Sequence, residues 1–315
     1  MDDFPSHYSL RALLENYAAR PRPVVLVLVV ATRGSSYRKA GALALIDQCG
    51  LSCGCISGGC LEADLLAAGL RALESAKLGH LCLDTRTDED RWFGSQSGCR
   101  GEIEVLLIPS DRCGSHALLD ALQLADSEQR ALTLRIDLAP GNPSYRLDDD
   151  AEDDGAIRVR IEASPRVLLL GAGPEGPPLI ELAKRMGWWL EVVEHRARYL
   201  AQGRLSGADR VHGERPAEVL ERLTDVRFDA VICASHLFEE DRRCLELLAA
   251  SAVPVIGVLG PEARGVELLA ELTTEQRDAL AGRVHAPIGI ALGAYGPEAV
   301  ALSIAARLLG FFARG

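Results

Sequence analysis

No stretch of the sequence is apolar for long enough to span a bilayer. The longest strongly apolar run, VVLVLVVA over 24–31, falls far short of the ~20 residues that a spanning helix needs. It is expected as a buried strand, and no membrane partner is expected. A run of lysines and arginines is also missing. With 45 acidic residues against 34 basic ones and a formal net charge of -11, the chain lacks the basic footprint of a nucleic-acid binder. The opening MDDFPSHYSL is acidic and polar and shows no signal-peptide pattern. A cytoplasmic location is therefore expected, where thiols stay reduced. No internal repeat is visible.

Paired C-x-x-C sets are missing too. Among nine cysteines, Cys49, Cys53, Cys55 and Cys60 follow C-x3-C-x-C-x4-C. That spacing lacks the paired ligands of a zinc site and meets no iron–sulfur signature. An odd count with clustered spacing argues against a disulfide framework. Cys49, Cys53 and Cys55 are expected as small, semi-buried strand residues. Cys60 differs, because it follows Ser57, Gly58 and Gly59 and opens an apolar-periodic segment over 61–78. A glycine-rich turn exposes backbone N–H groups, and a helix N-terminus stabilises a thiolate. Cys60 thus reads either as a reactive or ligand-binding thiol or as an inert helix-start cysteine. Cys99 has a similar glycine-flanked setting in GSQSGCRGE, 94–102, and the two thiols could converge on one pocket.

What is present divides into two parts. Residues 1–162 mix short strands and helices: a helix over 7–19, a strand from 24, and strands over 41–47 and 51–57 paired around a turn at Gln48–Gly50. A helix near 115–126 follows. The acidic stretch LDDDAEDDG, 147–155, reads as a solvated linker, since like charges repel. Residues 163–315 alternate strand and helix, the pattern of a Rossmann-like, doubly wound parallel sheet. The expected fold class is α/β, with a mixed α/β first domain.

In the second part RVLLLGAGPEG, 166–176, runs a strand into G-x-G-x-x-G and opens a helix, the context that motif needs. Gly171 permits the tight turn, Gly173 lets a phosphate approach, and Gly176 allows close helix packing. Glu194 ends the next strand, where a ribose-binding acid is expected. Pro174 removes one N–H from the cradle. The ligand stays open between a nicotinamide dinucleotide, another phosphorylated cofactor, and none.

With RGSSYRKAGA (33–42), ISGGCLEADLL (56–66), SGCRGEIEVLL (97–107), VVEHRARYLA (192–201), CASHLFEED (233–241), VIGVLG (255–260) and HAPIGIALGAYGPEAVALSIAARLL (285–309), the chain resembles the xanthine dehydrogenase accessory protein family, XdhC/CoxI. The resemblance implies a cytoplasmic maturation factor, a chaperone without turnover of its own. Such proteins bind molybdenum cofactor (molybdopterin), shelter it while a cysteine desulfurase or sulfurtransferase installs a sulfido ligand, and deliver it to an apo-molybdoenzyme such as xanthine dehydrogenase. A homodimer is implied as well. The chain departs from the family in having GPEARG (260–265) in place of a basic run, Ala291 and Ala299 in the tail, and Glu194 where Asp is usual.

The residues suit that cargo. The cofactor is anionic, so the N–H-rich turns at 57–60 and 171–176 could hold it. Soft thiolates match molybdenum or its sulfido group, which makes Cys60 and Cys99 the candidate metal contacts. His236 lies just past the strand FDAVICAS and reads as a ligand contact or as a capping or core histidine, and Arg38 could meet a phosphate bidentately or be a solvated arginine. In the tail, Gly296 and Pro297 read as the cap and first residue of a helix. A rival is an NAD(P)-dependent oxidoreductase, with His236 or His285 moving a proton. A third reading is a redox-sensing protein built around Cys60.

Overall fold

The computed structural model describes residues 9–19, 22–57, 61–84, 101–111, 114–147, 156–201, 203–223 and 226–313. The chain divides into two compact units, Met1–Ser164 and Pro165–Gly315. Apart from Leu147, the acidic stretch expected as a linker lies outside the described residues.

The first unit contains α1 (Leu10–Ala19), β1 (Val25–Gly34), β2 (Leu43–Asp47), β3 (Gly50–Gly54), α2 (Glu62–Ser75), β4 (Gly79–Asp84), β5 (Gly101–Pro109), α3 (Ala117–Ser127), β6 (Leu132–Asp137), β7 (Ser144–Leu147) and β8 (Ile157–Ile161). An antiparallel sheet runs in the order β3-β2-β1-β5-β4, and a smaller one in the order β7-β6-β8. The apolar run at 24–31 has its explanation here. Leu26, Leu28 and Val30 enter one core with α1, α3 and the small sheet. Val25, Val27 and Val29 enter another with α2. A strand buried on both faces has no polar alternation to show. Of the clustered cysteines, Cys53 is buried on β3. Cys55 lies just beyond that strand and is half-buried, and Cys49 is exposed in the hairpin turn.

The second unit contains β9 (Arg166–Leu170), α4 (Gly176–Met186), β10 (Trp189–Val193), α5 (Ala197–Leu200), β11 (Arg210–His212), α6 (Pro216–Arg222), β12 (Ala230–Cys233), α7 (Phe238–Ala249), β13 (Val255–Val258), α8 (Glu262–Ala270), α9 (Thr274–Leu280), β14 (Val284–His285) and α10 (Pro297–Phe312). Its six strands are ordered β11-β10-β9-β12-β13-β14, and every neighbouring pair is parallel. Val167 and Leu169 pack under α4 and α10. Leu168 and Leu170 pack under α6, α7, α8 and α9 on the other face. This is the doubly wound Rossmann-like sheet that the alternation predicts. The strand order reverses between β9 and β12, so a crevice is expected outside their carboxyl ends. The turn 171–176 and the loop after Cys233 meet there. α10 starts where the tail motif predicts, with Gly296 as its cap and Pro297 as its first residue.

Candidate functional site at the carboxyl edge of the parallel sheet

β9 is followed by Gly171, whose φ is +95°. A Cβ there would stand 2.5 Å from the Ala234 carbonyl oxygen and 2.5 Å from Ser235 Cα. The backbone after β12 therefore lies directly against this glycine, and no side chain fits between them. The turn's N–H groups are largely committed. Gly171 donates to the Val193 carbonyl, Ala172 to Glu194 Oε2 at 2.9 Å, and Gly176 to the Gly173 carbonyl. Pro174, Pro177 and Pro178 carry no N–H at all. Among the described residues of this turn, the N–H groups of Gly173 and Glu175 remain for an anion.

The space beside Gly173 is filled from within. Glu175 caps α4 and turns its carboxylate back over the glycine. A Cβ on Gly173 would lie 2.7 Å and 3.0 Å from the two Glu175 oxygens and 2.8 Å from His236 Nε2. His236 Nε2 itself is 2.9 Å from Glu175 Oε1. A pyrophosphate uses the missing Cβ of this second glycine to approach the backbone. Here the chain's own carboxylate takes that place.

His236 reaches it from a strained turn with φ +62°, a region that bulky residues rarely adopt. Ser235 sets the turn: its Oγ donates to Asp241 Oδ1 at 2.6 Å and accepts from the Leu237 N–H at 3.1 Å. Asp241 is buried, and Arg264 Nη2 reaches its other oxygen at 2.9 Å. The hydrogen bond that His236 donates to Glu175 pushes the His236 pKa up, against the burial that would lower it. A half-exposed imidazole with a raised pKa at this edge is a plain candidate for ligand contact.

Glu194 is fully buried. Its Oε1 accepts from the Arg196 backbone N–H at 2.7 Å and from Nε at 2.8 Å. Its Oε2 accepts from the Ala172 N–H and from Arg196 Nη2 at 2.6 Å. Burial alone would raise the pKa of this carboxyl. The guanidinium and the two backbone donors outweigh it and hold the value below the ordinary carboxylate range. Glu194 thus stands where a ribose acid is expected, but both its oxygens serve the ends of β9 and β10. Arg196 passes the tie on, donating from Nη1 to the Ser235 carbonyl at 2.9 Å.

Two features here escape a motif reading. Glu175 is a free position in G-x-G-x-x-G, and only the fold shows what it fills. Beyond β10, the guanidinium carbons of Arg196 and Arg198 lie 4.5 Å from the Tyr199 ring centroid, and that of Arg204 lies 5.6 Å from it. The density of arginine in HRARYLAQGR, 195–204, within an acidic chain was the available signal.

In the first unit, Gly58, Gly59, Cys60 and Cys99 lie outside the described residues. The turn's two flanks are described. Ser57 is buried, with its Oγ 2.6 Å from Glu62 Oε2. The Ser57 N–H donates to Glu62 Oε1 at 3.2 Å, and the Leu61 N–H to Ser57 Oγ at 3.2 Å. One carboxylate thereby bridges the two sides of the 57–61 segment. Cys55 Sγ is 2.6 Å from the Ser57 carbonyl oxygen. Burial pushes its thiol pKa up, Glu62 adds to this, and Arg38 opposes it, so Cys55 is a poor nucleophile. Arg38 is half-buried and lines a cavity of about 240 Å³ with Gly41, Arg160 and Glu162. His285 packs on Phe311, with ring centroids 4.6 Å apart, and burial lowers its pKa. Among the described residues, no three His, Cys, Asp or Glu side chains gather as a metal site, and no helix is long and apolar enough to cross a membrane.

Residues 17–83 match the XdhC and CoxI family, and residues 167–308 match the XdhC Rossmann domain. A Bacillus subtilis (strain 168) protein, described as a probable subunit of xanthine dehydrogenase, is 28% identical over 330 residues, spanning 96% of each chain. The uncharacterized Escherichia coli (strain K12) protein YqeB is 28% identical over 162 residues, which is 49% of this chain and 29% of its own. A solved structure from Bacillus halodurans, described as a xanthine dehydrogenase, superposes with a TM-score of 0.84 at 26% identity. It covers 97% of this chain and 96% of its own.

Proposed function

Because the chain belongs to the XdhC and CoxI family, we propose that it is a molybdenum-cofactor chaperone. It takes up molybdenum cofactor as cargo, protects it during sulfuration and delivers it to a molybdenum hydroxylase such as xanthine dehydrogenase. The observation that carries this reading is the union, in one chain, of the glycine-cysteine turn unit and the Rossmann-like unit over nearly the full length of the Bacillus subtilis relative. The first unit supplies the thiolates of Cys60 and Cys99 for the metal. The second supplies the half-exposed His236 and the polar carboxyl edge around it. A cysteine desulfurase or sulfurtransferase is the partner that donates sulfur. The chain works in the cytoplasm as a homodimer, with no turnover of its own.

The rival dinucleotide reading has less support. It needs a pyrophosphate seat at Gly173, and the Glu175 carboxylate lies over that glycine. It also needs an acid open to ribose, and Glu194 is enclosed by Arg196 and Ala172.

The test is anaerobic incubation of the purified protein with released molybdenum cofactor, followed by measurement of bound molybdenum and pterin. Stoichiometric binding is expected, with loss in Cys60→Ala. Gly173→Asp should weaken binding less, because its side chain meets only the ends of Glu175 and His236. No retained cofactor, together with NADH binding in the micromolar range, would overturn the proposal.

A further inference from the structure

The chain is acidic, with 45 acidic residues against 34 basic, yet three guanidiniums share one ring at the carboxyl edge of β10. Gathering like charges costs energy unless something offsets it. Arg196 is offset by Glu194, 2.6 Å away. Arg198 and Arg204 are exposed, and neither has a carboxylate partner among the described residues. Each leans on Tyr199, at 4.5 Å and 5.6 Å from the ring centroid. The ring's negative face attracts such cations. The pair is thus gathered at one ring, and among the described residues its two positive charges have no counter-charge.

Its place in the fold is as telling. α5 follows β10 directly, and Arg196 ties this corner to the glycine turn through Glu194 and to the β12 loop through the Ser235 carbonyl. The pair therefore lies at the ligand edge of the sheet. The anion seat usual for this fold, over Gly173, already holds the Glu175 carboxylate. A phosphate brought there would meet negative charge and few free N–H donors.

We infer that Arg198 and Arg204, gathered around Tyr199, bind a phosphate monoester, and that the glycine turn beside them does not hold a pyrophosphate. The match is one of charge and shape. A monoester is close to a dianion at neutral pH, and two guanidinium forks supply two charges and paired donors. Within the maturation-factor reading, on which this rests only for the identity of the cargo, the group recognised is the terminal phosphate of the pterin cofactor.

The test uses the full chain, titrated by calorimetry with guanosine 5′-monophosphate, guanosine, inorganic phosphate and NADH. The monophosphate should bind roughly tenfold or more tightly than guanosine, since one charge-assisted hydrogen bond is worth about that much. The double variant Arg198→Ala/Arg204→Ala should lose that advantage, with an unchanged melting temperature because both side chains are exposed. Arg243→Ala, whose side chain pairs with Glu221 and Glu246 on the far helices, should keep it. Inorganic phosphate should compete with the monophosphate. Equal binding of guanosine and its monophosphate, or a double variant that binds the monophosphate as the unaltered protein does, overturns the inference. So does NADH binding tighter than the monophosphate. Cofactor retention measured on the same proteins separates the two readings. Monophosphate binding without cofactor retention sinks the maturation factor alone. Cofactor retention with an indifferent double variant sinks the phosphate site alone.

Discussion

Gly171 and Gly173 share one turn, yet an added methyl group meets different things at each. At Gly171 it meets backbone, the Ala234 carbonyl oxygen and Ser235 Cα, both at 2.5 Å, with φ at +95°. Neither neighbour can swing away, so Gly171→Ala should destabilise the second unit by about 2–4 kcal/mol, the range of substitutions at strained, close-packed positions. At Gly173 it meets only the ends of the Glu175 and His236 side chains. Gly173→Ala should cost under about 1 kcal/mol, as changes that mobile side chains absorb usually do. Urea denaturation of the two variants should give that order, and a reversed order would refute the placement of Glu175. The same pair sets a pH dependence. The His236 pKa is raised by its bond to Glu175. The stabilisation is therefore complete below the ordinary histidine value of ~6.5 and is lost as pH rises through the higher folded value. An NMR titration should show the His236 pKa falling in Glu175→Gln. A value that stays raised would mean that another group holds the proton.

At the scale of elements, the buried Glu194–Arg196 ion pair ties the carboxyl edge together. Glu194 joins the end of β10 to the turn after β9, and Arg196 carries the link to the loop after β12. Glu194→Ala leaves the guanidinium without its partner in a half-buried setting. A loss of about 3–5 kcal/mol is expected, as for other broken buried pairs. Because the Glu194 pKa is depressed, its contribution is present above the ordinary carboxylate value of ~4.3 and is lost as pH falls through the lower folded value. Denaturation midpoints of the two proteins should accordingly draw together as pH falls below the ordinary carboxylate value, and a gap that does not narrow in acid would contradict this. The sequence made part of this edge legible. The strand–turn–helix around Gly171 and the Gly296–Pro297 start of α10 are written in adjacent residues, where backbone rules act. Glu194 was visible as an acid at a strand end, but its inward orientation depends on Arg196 and Ala172. Glu175 was invisible as a gate, because its partner His236 comes from another strand-end loop. The Arg198–Arg204 pair carried only a compositional hint, since its meaning rests on which carboxylates lie near it in space. β1 shows the same limit in reverse. Its apolar run announced burial, while the two cores it serves were set by elements far along the chain.

At the scale of the whole molecule, each unit closes its own cores. The first surrounds its antiparallel sheet with two clusters drawn from residues before Ser164. The second surrounds its parallel sheet with two drawn from residues after Pro165. Among the described residues, none of these four clusters draws on both units, and the second, with about 150 residues, is of a size that buries enough surface to fold alone. A fragment beginning at Pro165 should therefore unfold cooperatively, with the near-ultraviolet signal of a packed Trp188 against Phe312, whose ring centroids are 5.1 Å apart. The phosphate site lies wholly within this unit, on α5 and the loop after it. The fragment should consequently bind guanosine 5′-monophosphate as tightly as the full chain. A fragment that unfolds without a cooperative transition would show that the second unit borrows stability from the first. A folded fragment that no longer binds the monophosphate would place essential phosphate contacts in residues before Pro165, and would move the anion site away from Arg198 and Arg204.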